Sequence, residues 1–161
     1  MLTTIIICIL RGILITMTYF SCSLKDTVSF AQSFAKTLCG NDFIALYGGM
    51  GMGKTAFVSG LAKGLCIDTV VSSPTFALVH EYNGAKTLYH FDMYRVTTWE
   101  DLQSTGFFDY LDNGVIACEW SENIEEAIPK NHIKISISPA GCEQSRLIEI
   151  TYSNSHKTDV F

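Results

Sequence analysis

Gly48-Gly-Met-Gly-Met-Gly-Lys-Thr55 constrains what this 161-residue chain can fold into more than any other stretch of it. It fits G-x-x-x-x-G-K-[ST] without a gap, a loop that needs a buried strand before it and a helix after it. Both are legible. Phe43-Ile-Ala-Leu-Tyr47 is a short continuous apolar run, the pattern of a strand covered on both faces. From Thr55 to Leu65, Phe57, Val58, Leu61, Ala62 and Leu65 form a helical stripe. In such a strand–loop–helix the glycines let successive backbone N–H groups turn inward around the α- and β-phosphates of a nucleotide, and the helix N-terminus faces the anion. Gly48, Gly49, Met50, Gly51, Met52, Gly53 and Ala56 then line the phosphates, Lys54 reaches the β- and γ-phosphates, and Thr55 offers its hydroxyl to Mg²⁺.

A P-loop also needs an acid near the metal, at the end of a neighbouring hydrophobic strand. Leu88-Tyr-His-Phe-Asp92 and Val115-Ile-Ala-Cys-Glu119 each end in one. If the strands run parallel, both carboxylates emerge at the edge that carries the glycine loop. One would hold Mg²⁺ and the other orient the attacking water; the residues alone do not divide these roles between Asp92 and Glu119. Ser73-Pro-Thr-Phe76 lies after the P-loop helix, where nucleotide switches place a threonine that senses the γ-phosphate, here Thr75, although Ser-Pro-Thr is equally an ordinary turn. Trp120 either stacks on a base or packs as core. His90 alternates with apolar residues, the mark of a structural histidine, and Arg95 meets either a phosphate or a surface acid.

The rest of the chain reads as one α/β domain with a mixed sheet, P-loop NTPase-like, flanked by helices and finished by an antiparallel edge hairpin. Ala31, Phe34, Ala35 and Leu38 recur at helical spacing, with Asp26 as N-cap and Gly40 as stop. Asn83-Gly84 joins two short strands as a hairpin. Thr98 and Asp101 form a capping box, and Glu122 to Ile128 is a short helix closed by Pro129. Ile133, Ile135 and Ile137, then Ile148, Ile150 and Tyr152, alternate with polar residues and turn through Pro139-Ala-Gly141.

A net charge of −5 argues against a protein that grips nucleic acid by its global field. The mean hydropathy of +0.24 is high, but much of it lies at the start: of residues 1–16, 11 are apolar and only Arg11 is charged. Arg11 interrupts that run too soon for a membrane span of about 20 residues, and no basic segment or small-residue cleavage site marks a signal peptide. Residues 1–16 then read either as an extra strand or helix, or as the product of a start assigned too early; with Met17 as the start they are a leader the domain does not need, and the domain runs 17–152 with a polar tail at 153–161. The six cysteines form no C-x-x-C pair, and most sit in apolar runs, which suits buried free thiols in a reducing, cytoplasmic compartment.

The order of motifs resembles a known family. The P-loop, Ser73-Pro-Thr-Phe76, His90-Phe-Asp-Met-Tyr-Arg95, Asp101-Leu, Gly106-Phe-Phe-Asp-Tyr110 and Glu119-Trp120 together closely resemble the bacterial TsaE family over about Tyr19 to Tyr152. Those proteins are small P-loop ATPases of tRNA threonylcarbamoyladenosine biosynthesis. The resemblance implies ATP or ADP and Mg²⁺ as ligands. It implies as partners a threonylcarbamoyltransferase subunit (TsaD-like) and its inactive paralogue (TsaB-like), with tRNA reached only through the complex. It makes hydrolysis the step that resets that complex, weak in the isolated chain. It also implies Lys54 and Thr55 at phosphate and metal, Thr75 as switch-I-like, Asp92 as switch-II-like, and Glu119 as Walker-B acid beside Trp120. Family loops commonly read G-D-L-G-A-G-K-T, so Gly49 stands for an acid and Met52 for a small residue. Two other functions use the same loop. A small-molecule kinase needs an arginine-bearing lid, and only Arg95 and Arg146 follow the P-loop. A nucleotide-gated binding module needs no hydrolysis, and the loss of the acid at Gly49 favours it.

Overall fold

The computed structural model describes residues 15–153. Its elements are β1 (Ile15–Ser21), α1 (Leu24–Phe34), β2 (Phe43–Tyr47), α2 (Lys54–Gly64), β3 (Val79–Tyr82), β4 (Leu88–Asp92), α3 (Trp99–Ser104), β5 (Val115–Glu119), β6 (His132–Ala140) and β7 (Cys142–Ser153). The strands form one mixed sheet in the order β1-β7-β6-β2-β5-β4-β3. β6, β2, β5 and β4 run parallel to one another. β3 is antiparallel to β4, and β7 and β1 extend the other side antiparallel.

β2, in the middle of the sheet, shows why a continuous apolar run was needed. Ile44 and Leu46 pack into one core with α1 and α2, while Phe43 and Ala45 pack into a second core on the opposite face with Phe91, Phe107 and Ile116. Burying both faces leaves no polar position in the strand. α1 lies against α2 so closely that a Cβ added at Gly60 would meet Ala31 Cβ and the Val28 carbonyl at 2.5 Å, and Gly64 repeats the approach one turn on. Gly60→Val should therefore push the helices apart. Overpacking of this kind costs about 1–3 kcal/mol, a fall in melting temperature of roughly 2–12 °C for a domain of this size. An unchanged melting curve would show that the seam can give.

Several local readings are corrected. The N-cap of α1 is Ser23, not Asp26: Ser23 Oγ accepts from Asp26 N at 3.2 Å, and Asp26 Oδ2 accepts from Cys22 N at 2.9 Å. Asp26 thus sits three residues in, but it ties down the residue before the cap and accepts from Tyr19 Oη at 2.7 Å rather than closing a capping box. α1 ends at Phe34 in a 3₁₀ turn, Ala35–Thr37, well before Gly40. Residues Ser121–Ala127 form 3₁₀ turns broken at Ile124 rather than an α-helix. The β6–β7 hairpin lies one strand in from the margin, because β1 pairs with β7 from Ile15↔Tyr152 to Ser21↔Arg146. The Thr98–Asp101 capping box stands as read; β3 and β4 do form a hairpin, but residues 83–87 connect them in place of a tight Asn83-Gly84 turn. Of the expected leader, residues 1–14 lie outside the described residues, as does the tail from 154; β1 itself begins at Ile15. Only Cys118 of the described cysteines is buried; Cys22, Cys39, Cys66 and Cys142 are exposed, and all five are free. Among the described residues, no helix is long and apolar enough to cross a membrane.

Candidate functional site

The parallel strands β2, β5 and β4 deliver their C-terminal ends to one edge, and the glycine loop connects β2 to α2 at that edge. Gly48 leaves the strand at φ +141°, and a Cβ there would meet the Ile137 carbonyl at 2.5 Å, so only glycine permits the loop to fold back over β6. The loop opens onto a cleft of about 420 Å³. Every sequence-expected site residue lines it except Gly48 and Gly49, whose carbonyls accept from Lys54 Nζ at 2.5 and 3.0 Å. The ammonium also sits 3.7 Å from the centre of the Trp120 ring. Lys54 is 4% exposed, and burial holds its pKa below the ordinary lysine value, against the opposing pull of Glu119, Glu122 and Asp92.

The two acids are neighbours across the β4–β5 ladder, Asp92↔Glu119, and both are buried. Their surroundings differ. Glu119 Oε1 accepts from the Thr55 hydroxyl at 2.8 Å and pairs with His90 Nε2 at 2.8 Å, which leaves Oε2 outside both bonds on a side chain that lines the cleft. Asp92 is more fully engaged. Its Oδ2 accepts from Ser73 Oγ at 2.7 Å and Thr75 Oγ1 at 2.6 Å, and its Oδ1 from Tyr94 N at 3.0 Å. Asp92 therefore holds the Ser73–Thr75 loop against the sheet, with Thr75 turned to it. Thr75→Val keeps the shape and removes that hydroxyl. It should cost about 1 kcal/mol and speed amide exchange through Phe76. Unaltered exchange would mean that the carboxylate does not hold the loop.

Trp120 adopts a left-handed backbone, φ +59°, directly after β5, and this turn carries its ring under Lys54 and against Tyr94, 4.9 Å between centroids. The contact is with the lysine as well as with neighbouring aromatics, so the choice between base stacking and core packing misses its nearest charged neighbour. Arg95 lies over the exposed Phe76 ring, 4.4 Å from its centre.

Three contributors escaped the sequence reading. Arg146 on β7 donates from Nε to Met52 O at 3.1 Å and from Nη2 to Gly51 O at 3.4 Å, bracing the loop from outside. Nothing in its local sequence marks it; 94 residues separate it from Met52, and only the strand register of β7 brings it there. Ser73 was read as part of a turn, yet it shares Asp92 with Thr75. His90 is structural in being fully buried, but its one hydrogen bond goes to Glu119.

Residues 21–148 match the family model described as "Threonylcarbamoyl adenosine biosynthesis protein TsaE". The chain is 37% identical over 131 residues to the tRNA threonylcarbamoyladenosine biosynthesis protein TsaE of Bacillus subtilis (strain 168), covering 80% of this chain and 78% of that protein. The protein of the same name from Rickettsia prowazekii (strain Madrid E) is 38% identical, with 71% of this chain and 81% of that one covered. The one from Treponema pallidum (strain Nichols) is 36% identical, with 71% and 86% covered. The crystal structure of Bacillus subtilis YdiB superimposes with a TM-score of 0.74 at 30% identity, covering 89% of this chain and 90% of that one.

Proposed function

The chain belongs to the TsaE family, and from that premise we propose that it hydrolyses ATP as the nucleotide-driven component of tRNA threonylcarbamoyladenosine biosynthesis. The observation that carries the reading is the hydrogen bond from Thr55 Oγ1 to Glu119 Oε1, 2.8 Å long, between the first turn of α2 and the end of β5. With its proton given to Glu119, the Thr55 oxygen keeps its lone pairs for a cation. Among the described residues no group of three or more His, Cys, Asp or Glu side chains is arranged to hold a metal by itself. That suits Mg²⁺, which is bound through one or two carboxylates, water and substrate phosphates rather than by an all-protein cage. Thr55 and Glu119 would hold it, and when bound it would neutralise charge on the phosphates.

The partners of the two acids support a division of labour between them. Glu119 keeps Oε2 outside its hydrogen bonds and is the metal-side acid, directly or through water. Asp92, committed to Ser73, Thr75 and Tyr94, orients the loop above the cleft and, once Thr75 turns toward a γ-phosphate, has an oxygen free for the attacking water. Lys54 exchanges the Gly48 and Gly49 carbonyls for phosphate oxygens, which are the stronger acceptors because they are charged.

The partners in this reading are a threonylcarbamoyltransferase subunit and its inactive paralogue, with tRNA met through them, in the cytoplasm. The chain's acidity and its free, mostly exposed thiols agree with a cytoplasmic protein that does not itself grip RNA. The test is reconstitution. Purified chain with both partners, tRNA, threonylcarbamoyl adenylate and ATP should support many rounds of modification per complex, and omission of the chain should hold the yield near one round. Equal yields with and without it would remove the assignment. ATP consumption with transfer of phosphate to a small molecule would point to a kinase, and multiple rounds without ADP release to a gated binding module.

A further inference from the structure

β4 reads Leu88-Tyr-His-Phe-Asp92, and the period of two puts His90 and Asp92 on the same face of the sheet. Ala117 stands opposite His90 in the parallel neighbour β5, and Glu119 opposite Asp92. The His90 ring is fully buried. Its Nε2 lies 2.8 Å from Glu119 Oε1, and its Nδ1, also buried, has no hydrogen-bond partner. An ionised carboxylate can only accept, so Nε2 carries the proton of this bond. In a neutral ring Nδ1 is then a bare lone pair, with no second N–H left to satisfy. A leucine would fill the same space without stranding a ring nitrogen; what the histidine adds is one N–H aimed at Glu119.

We infer that His90 is a positioning residue for Glu119, fixing Oε1 from within the sheet so that Oε2 is presented to the cleft. This rests on the reading of Glu119 as the metal-side acid. Thr55 donates to the same Oε1, but it sits on the first turn of α2, beside the loop that must rearrange around phosphate. His90 and Glu119 lie on adjacent, hydrogen-bonded strands, so their bond survives that rearrangement. Asp92 draws on a different set of donors, so the effect of His90 is confined to one acid. Partners of this kind, behind a metal-side group, typically change metal affinity or activity by 10–100-fold.

The variants are His90→Leu, which removes the donor, and His90→Gln, which offers an amide N–H in its place. Both should bind ADP without Mg²⁺ within about twofold of wild type, since Lys54 and the loop backbone are untouched. His90→Leu should need roughly 10–100-fold more Mg²⁺ to reach half of the magnesium-dependent gain in ADP affinity, with His90→Gln closer to wild type than to His90→Leu. In the assembled complex His90→Leu should lower kcat for ATP with KM held. Wild-type magnesium dependence in His90→Leu, or a folded His90→Gln as impaired as His90→Leu, would overturn the role of His90. A wild-type chain whose ADP affinity gains nothing from Mg²⁺ would overturn the reading of Glu119 and this inference with it. If His90→Leu does not fold, ¹⁵N NMR of the wild-type chain decides: an Nε2–H tautomer whose signal moves in Glu119→Gln supports the inference, and an Nδ1–H tautomer or an unmoved signal overturns it.

Discussion

Lys54→Ala should lower nucleotide affinity by ten- to a hundredfold, as expected for loss of charged hydrogen bonds worth about 1.5–3 kcal/mol. The chain itself offers no replacement. Arg146 spends its donors on the carbonyls of Gly51, Met52, Glu143 and Ser145, and Arg95 lies over Phe76. The same position makes a second, opposite demand on stability. Burial disfavours the Lys54 ammonium, so its pKa in the fold lies below that of the unfolded chain. For a base, that sign means folding carries a penalty that is full at pH values below the lowered pKa and vanishes only above the ordinary lysine value. Lys54→Met keeps most of the stem against Trp120 and removes the charge, so it should melt no lower than wild type at neutral pH while binding nucleotide poorly. Isothermal titration with ADP and a melting curve on the same sample check both halves. Wild-type affinity in either variant would show that the lysine does not reach phosphate.

Glu119→Gln should leave the fold and ADP affinity without Mg²⁺ nearly intact and reduce ATP turnover in the complex by about 100-fold or more, the scale for losing one well-placed charge-stabilising group. The amide is isosteric and its oxygen still accepts from Thr55 or His90. What disappears is a negative charge that raises the Lys54 pKa. The Lys54 pKa therefore falls further in the variant, and phosphate binding, which needs the protonated amine, should weaken at a lower pH than in wild type. Turnover measured against pH checks this, and a rate like that of wild type would show that Glu119 is not the acid at the metal.

The sequence reading succeeded where the physics is local. A gapless glycine loop between an apolar run and a helical stripe, and two apolar runs each ending in an acid, were enough to place the loop and both carboxylates at one edge of the sheet, where the structure brings them together. Periodicity also supplied the capping box at Thr98 and the pairing of β3 with β4. It failed where two acceptable local solutions compete, as with Ser23 and Asp26, both good cap residues three apart. It was mute where register decides. Arg146 reaches Met52 because β7 pairs with β6 in one alignment and not another, and His90 finds Glu119 because β4 and β5 are parallel neighbours. The cysteines mark a third kind of miss. Four of the five described are exposed: Cys39 and Cys66 follow a buried leucine at a helix end, while Cys22 and Cys142 have no apolar neighbour in sequence.

The fit of Gly48 against the Ile137 carbonyl separates two glycines that look alike on the page. At Gly48 any side chain collides with backbone that cannot yield. At Gly49 the backbone is not left-handed, and the nearest atom to an added Cβ is Met52 Cγ at 3.9 Å, the tip of a flexible chain. The first position is closed to the other nineteen amino acids, whereas the second is open, so the departure from the family's usual acid there was not imposed by geometry. Saturating both codons and selecting for folded protein should return glycine alone at one and a broad alphabet, aspartate included, at the other.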